Sequence, residues 1–114
     1  MCIRDRCLVI GEDLGVVPDE MRRAMPEYGL YHYKVLLFEK DGGRFRRPDE
    51  FVRRALGTVA THDMPTICGY WECRDIDLRR RLSLYPSVEA QDGVMREREH
   101  DRVALLNACL LYTS

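Results

Sequence analysis

Residues 7–15 read CLVIGEDLG and place a short apolar run directly before two carboxylates. Residues 8–10 are typical of a strand buried in a parallel sheet, and Gly11 ends that run. A helix is expected to begin at Pro18, because proline suits a first helical turn, and Pro26 is expected to disturb it. The stretch therefore predicts a strand, a loop that carries both carboxylates, and a helix.

The same alternation continues along the chain. Residues 34–38 predict a second strand, and residues 40–43 predict the turn that follows it. Residues 48–52 can form a brief helix before the β-branched third strand at 58–61. Strands that alternate with helices predict an α/β fold with a mainly parallel sheet, either doubly wound or part of a (β/α)8 barrel.

Two surface helices account for much of the charge. One is predicted from Asp75 onward, where acidic residues precede arginines by four positions, and the other over about residues 94–108. The net charge of −1 gives no general attraction to nucleic acid or anionic membranes. The arginines are therefore explained by solvated helix faces.

Composition places the chain among soluble globular proteins. Its 114 residues are 46% hydrophobic and 32% charged, which fits a packed domain and not a disordered chain. No apolar run approaches the roughly 20 residues that span a bilayer, and charged residues 4–6 stand where a signal peptide would be apolar. Five cysteines without repeated spacing favour reduced thiols over disulfides or a zinc site. We expect a cytoplasmic protein without metal or membrane partner.

Polar side chains at the ends of the predicted strands are the candidates for chemistry, since ligands of parallel α/β folds meet the carboxyl ends of strands. These candidates are Glu12, Asp13, Glu39, His62 and Asp63. Glu12 and Asp63 could share one rim and divide acid and base roles, as glycoside chemistry requires. The spacing equally allows a structural role, in which these carboxylates cap the helices that follow them.

Several longer motifs favour the catalytic interpretation. Residues 7–15 with Val17-Pro18 closely resemble the Glu-bearing motif of the 4-alpha-glucanotransferases, glycoside hydrolase family 77. The order of that family's motifs continues through residues 34–39, 60–66, 69–72 and 75–78, and the resemblance covers about residues 7–106. Residues 31–33 depart from the pattern, since many members have a small residue and methionine there.

The resemblance implies specific roles. Glu12 would be the general acid/base, Asp63 the stabiliser of the transition state, and His62 and Asp13 would bind substrate. The substrates would be α-1,4-glucans and maltodextrins, with no cofactor, no metal and no nucleic-acid partner. The family's nucleophilic aspartate lies in an upstream motif that this sequence lacks, so the chain by itself is expected to be inactive.

The resemblance also implies that the chain is a fragment of a (β/α)8 TIM-type barrel, about strands five to seven with their helices. Two other functions stay open. A related retaining α-glucan hydrolase would use the same carboxylates with water as acceptor. A small non-catalytic α/β module would use them as helix caps.

Residues 1–6 and 109–114 do not fit the pattern of the rest of the sequence. One permitted coding of residues 1–6 is nearly the reverse complement of one permitted coding of residues 109–114, and the shared sequence resembles a transposase-recognition end used in DNA libraries. We expect both ends to be adapter-derived. Residues 7–108 would then be the native part of the chain, a partial catalytic barrel.

Overall fold

The computed structural model describes residues 7–110 and shows a mixed α/β arrangement. The two predicted ends lie mostly outside the described residues. In chain order, the elements are α1 (Asp19–Glu27), β1 (His32–Val35), a 3-10 turn (Leu36–Phe38), β2 (Lys40–Asp41), β3 (Arg44–Phe45), a second 3-10 turn (Pro48–Glu50), β4 (Ala55–Thr58), α2 (Ile67–Trp71), α3 (Arg74–Arg81) and α4 (Val88–Leu110).

Three parallel segments form the frame of the fold. β1 and β4 pair in parallel, with His32 opposite Ala55 and Val35 opposite Thr58. On the other side of β1, Ile10 forms a parallel bridge with Tyr31. The predicted parallel order of three consecutive strand regions is therefore confirmed.

The first strand is shorter and more exposed than predicted. It consists of the bridge at Ile10 and two main-chain hydrogen bonds, from Tyr31 N to the Val9 carbonyl at 3.0 Å and from Gly11 N to the Tyr31 carbonyl at 2.8 Å. The prediction of a buried strand is wrong for the described chain, because Leu8 is 62% exposed. Ile10 on the same segment is 39% exposed.

The other two strands are displaced along the sequence from their predicted positions. β1 ends at Val35, and the apolar residues 36–38 form a 3-10 turn in which Leu37 is buried and Phe38 is exposed. β4 covers residues 55–58 and ends where the predicted strand begins. The register with β1 decides these boundaries, and a continuous apolar run carries no information about register.

The helices follow the predictions more closely, with three differences. The brief helix predicted over residues 48–52 is only a 3-10 turn, Pro48–Glu50. α1 continues through Pro26 to Glu27, because a proline in the last turn removes only one hydrogen bond before the helix ends. α4 begins six residues earlier than predicted, since the Ser87 hydroxyl accepts a hydrogen bond from Ala90 N at 3.2 Å and starts the helix there. The helix predicted from Asp75 is confirmed as α3.

A β-hairpin and α4 enclose the main apolar cluster. β2 and β3 pair antiparallel across the predicted 40–43 turn, and Phe45 on β3 is fully buried. Leu37, Leu105 and Ala108 pack with it. Asp101, which is 6% exposed, holds α4 to the hairpin by accepting hydrogen bonds from Lys40 Nζ at 2.8 and 2.9 Å.

The overall shape is more extended than that of a complete small domain. The radius of gyration is 17.5 Å, whereas a compact domain of about 100 residues has one of roughly 13 Å. Large apolar side chains such as Val16 and Leu84 are exposed. Among the described helices, none has the length and apolar character needed to cross a bilayer.

Candidate active site

One cleft of about 350 Å³ lies at the carboxyl ends of the parallel segments. It brings Glu12, from the loop after the first segment, together with His62 and Asp63, from the loop after β4. Its lining residues are Glu12, Leu14, Tyr33, Phe38, Thr61, His62 and Asp63. Two carboxylates fifty-one positions apart in sequence therefore share one rim.

Glu12 is exposed in this cleft. Within residues 7–110 its carboxylate makes no hydrogen bond or ion pair, although the adjacent backbone is held by the bond from Gly11 N to Tyr31. The exposed position of Glu12 leaves its carboxyl group within reach of a molecule bound in the cleft, which a general acid or base needs.

Asp63 is held by its own loop. The Thr61 hydroxyl donates a short hydrogen bond to Asp63 Oδ1, and Met64 N donates to the Thr61 carbonyl at 3.2 Å, which closes a turn. The hydrogen bond from Thr61, followed by a backbone N–H and the nearby His62, keeps the pKa of Asp63 below its usual value. Asp63 is therefore an anion that can stabilise a developing positive charge.

Neither carboxylate of the cleft caps a helix. α2 is capped by Thr66, whose hydroxyl accepts a hydrogen bond from Gly69 N at 3.1 Å. α1 begins after Pro18 without a side-chain cap. The capping interpretation of Glu12, Asp13 and Asp63 is wrong.

Asp13 occupies a different environment from its neighbour Glu12. It is 4% exposed and is not among the residues that line the cleft. Its carboxylate is hydrogen-bonded to His32 Nδ1 at 2.9 Å and accepts from Tyr33 N at 2.9 Å and Lys34 Nζ at 3.3 Å. Burial acts to raise the pKa of Asp13, but the backbone bond from Tyr33 and the two side-chain partners together lower it.

His62 is exposed and lines the cleft beside Asp63, as its position after a strand predicts. Glu39 lies elsewhere, near Arg46, whose Nη1 is 3.7 Å from Glu39 Oε2. The sequence analysis did not identify Leu14, Tyr33, Phe38 and Thr61 as lining residues. Tyr33 could have been found from its position beside a predicted strand whose neighbours both end in candidate residues, whereas Phe38 lies in the 3-10 turn after β1.

The described residues contain no group of three or more His, Cys, Asp or Glu side chains arranged to bind a metal ion. The chemistry available to the cleft from these residues is that of two carboxylates and an imidazole. Such a set can move a proton and stabilise a cationic centre.

Comparison with known proteins gives one consistent result. Residues 2–112 match the profile of glycoside hydrolase family 77, described as 4-alpha-glucanotransferase. A 4-alpha-glucanotransferase of Haemophilus influenzae is 40% identical over 106 residues, which make up 93% of this chain and 15% of that protein. A 4-alpha-glucanotransferase of Mycobacterium tuberculosis is 33% identical over 94 residues, or 77% of this chain and 13% of that protein.

A solved structure agrees with the sequence matches. The crystal structure of amylomaltase from Corynebacterium glutamicum superposes with a TM-score of 0.81 at 30% identity, and the match covers 93% of this chain and 15% of that one. The chain thus spans about 15% of the length of these two relatives. Because the family profile matches almost every residue, the chain belongs to the 4-alpha-glucanotransferases of glycoside hydrolase family 77.

Proposed function

We propose that the chain is an internal part of a retaining 4-alpha-glucanotransferase, which transfers α-1,4-glucan segments between maltodextrins through a covalent glucosyl–enzyme intermediate. The observation that carries this proposal is the cleft that Glu12, His62 and Asp63 line together. Family membership supports the choice of substrate class.

In the first step, a nucleophilic aspartate from another part of the parent protein attacks the anomeric carbon of the donor glucan. Glu12 donates its proton to the glycosidic oxygen, so that the leaving chain departs with a free 4-hydroxyl. The anionic Asp63 stabilises the oxocarbenium-like charge on the sugar. His62 donates a hydrogen bond to a hydroxyl of the same glucose.

In the second step, Glu12 acts as the base. It removes the proton from the 4-hydroxyl of an acceptor glucan, whose oxygen attacks the anomeric carbon and displaces the aspartate. The two displacements restore the original anomeric configuration. The prediction that Asp13 contacts sugar is weakened by its burial, since Asp13 is 4% exposed and does not line the cleft.

We propose further that the chain supplies about strands five to seven of a (β/α)8 barrel. Three consecutive parallel segments support this, and so do the extended shape and the exposed apolar side chains, which a barrel's remaining strands and helices would cover. A cytoplasmic location remains a proposal, supported by the odd count of five cysteines without repeated spacing.

The activity test uses the full-length parent protein with maltotriose as the sole substrate. Transfer produces glucose together with maltodextrins longer than the substrate, whereas a hydrolase produces only shorter sugars. We expect Glu12→Gln to lower kcat by about 100- to 10,000-fold, because the amide cannot donate and recover the proton. Glu20→Gln, on the exposed first turn of α1, is the matched control. Full activity of Glu12→Gln would refute the acid/base assignment.

A separate test concerns the two ends. The family match spans residues 2–112 and so does not separate residues 1–6 and 109–114 from the rest. The genomic DNA on both sides of the reading frame decides the question. We expect coding sequence that departs from this chain at both ends and contains an aspartate-bearing motif upstream.

A further inference from the structure

The carboxylate of Asp13 accepts the hydrogen bond that would come next in the parallel ladder between the first segment and β1. Tyr31 N bonds to the Val9 carbonyl, and Gly11 N bonds back to the Tyr31 carbonyl. Because bonds in a parallel ladder are evenly spaced, the next donor, Tyr33 N, would meet the Gly11 carbonyl. It meets Asp13 Oδ1 instead, at 2.9 Å.

The partners of Asp13 hold it firmly in this place. Burying a carboxylate is costly unless it has hydrogen-bond partners. Here the 3% exposed side chain is fixed from three directions, by Tyr33 N, by Lys34 Nζ and by the imidazole of His32. All three partners belong to β1, so the loop after the first segment is tied to a single strand.

The same contact acts on both sides of the cleft. On one side, the residue that precedes Asp13 is Glu12, which lines the cleft. On the other side, Tyr33 lines the cleft, and its backbone N–H donates a hydrogen bond to Asp13. The Tyr33 hydroxyl accepts a hydrogen bond from Thr58 Oγ1 on β4 at 3.2 Å. One buried carboxylate thus connects the Glu12 loop, β1 and the wall of the cleft.

We propose that Asp13 is a positioning residue for Glu12: its carboxylate takes the place of a main-chain acceptor and directs the chain so that Glu12 lies in the cleft. This inference rests on the proposed function for its kinetic part, since Glu12 must be the acid/base for its position to affect kcat.

The test compares three variants of the full-length parent protein in maltotriose transfer. Asp13→Ala removes all three bonds, and we expect kcat to fall about 10- to 100-fold, because small misplacements of a catalytic group are that costly. KM should stay nearly unchanged. Asp13→Asn keeps an acceptor for Tyr33 N but loses the charge, so it should reduce kcat only a few-fold. Asp19→Asn, on the exposed first turn of α1, should change neither constant.

Hydrogen–deuterium exchange gives a second readout that does not depend on activity. The peptide that covers residues 31–35 should exchange faster in Asp13→Ala than in the unaltered protein, because the Tyr33 N–H loses its acceptor. Asp13→Asn should give an intermediate rate, because its amide oxygen is a weaker acceptor than the carboxylate. If Asp13→Ala does not fold, Asp13→Asn decides alone, with a few-fold lower kcat and faster exchange expected.

Two results would overturn the positioning role. A raised KM with unchanged kcat would make Asp13 a direct sugar contact, and unchanged kcat together with unchanged exchange would leave it without any effect on Glu12. Failure of the proposed function looks different. In that case the unaltered full-length protein lacks transferase activity or Glu12→Gln retains it, while the exchange of residues 31–35 still reports whether Asp13 holds the loop.

Discussion

Arg98 on α4 and Asp75 on α3 form a two-pronged ion pair, with Nη1 2.8 Å from Oδ1 and Nη2 2.8 Å from Oδ2. The same guanidinium donates to the Tyr70 carbonyl at 2.6 Å and stacks 3.6 Å from the centre of the Tyr70 ring. Its side chain is 8% exposed. Arg98 therefore joins the last three helices around one buried cation.

Arg98→Lys should destabilise this region, because an ammonium group cannot reproduce the planar two-pronged geometry or the stacking on Tyr70. We expect a loss of about 2–3 kcal/mol, the cost of hydrogen bonds to charged groups in a buried place. The measurement is the protection of α3 and α4 amides from hydrogen exchange in the full-length parent protein. Arg80→Lys is the matched control, since Arg80 pairs with Asp77 on the exposed surface and such pairs contribute little. Equal effects of the two variants would contradict the prediction.

The same ion pair predicts how acid acts on the protein. The hydrogen bonds from Arg98 outweigh partial burial and hold the pKa of Asp75 below its unperturbed value of 3.8. A carboxylate with a lowered folded-state pKa contributes stability that is complete above pH 3.8 and is lost as pH falls through the folded-state pKa.

Carbon NMR of the labelled Asp75 carboxyl group tests this directly. We expect its titration midpoint to lie below 3.8 in the unaltered protein and to rise in Arg98→Met. A midpoint at or above 3.8 in the unaltered protein would show that the ion pair does not form in solution.

Replacing two glycines by alanine should change the stability of the protein in opposite directions. Gly29 has a φ of +68° and ends the helix with bonds from Gly29 N to the Pro26 carbonyl and from Leu30 N to the Met25 carbonyl. Gly29→Ala should cost about 1 kcal/mol through backbone strain alone, since an added Cβ has no atom within 4 Å. Gly93→Ala, inside α4 and equally free of clashes, should instead stabilise by up to about 1 kcal/mol. Thermal melting of the parent protein measures both, and shifts of the same sign would refute the argument.

Residues 7–110 expressed alone should not unfold cooperatively. Their radius of gyration of 17.5 Å and the exposure of Leu8 and Ile10 indicate that much of the apolar surface needs further partners. Urea unfolding followed by circular dichroism and by Trp71 fluorescence should give broad transitions that do not coincide. Sharp and coincident transitions would show that this part of the chain is a domain by itself.

The sequence was sufficient for the parallel order of the three strand regions and for the position of two carboxylates, but it did not reveal the β2–β3 hairpin. Apolar runs that end in carboxylates predicted a parallel sheet with Glu12 and Asp63 at one rim, and the cleft brings both together. That prediction succeeded because side chains after consecutive parallel strands must lie at the same edge. It needed no knowledge of the exact strand boundaries.

Features that depend on a distant partner could not be predicted. The start of β4 at Ala55 is set by its register with His32, and neither residue has a strong local preference that reveals the pairing. Thr66 was not recognised as the cap of α2, because a five-residue helix has too little periodicity to show in the sequence. The burial of Asp13 follows from donors twenty positions away on β1.

Because the Asp13 side chain replaces a main-chain acceptor, the connection from Gly11 to Asp13 must have a fixed length. An added or deleted residue in this connection must misplace either the acid group in the cleft or the acceptor behind it. We therefore expect the parent protein to tolerate neither insertion nor deletion in this segment. Changes of loop length near the cleft should be tolerated better beyond Leu14, where the connection to α1 passes through the fully exposed Val16.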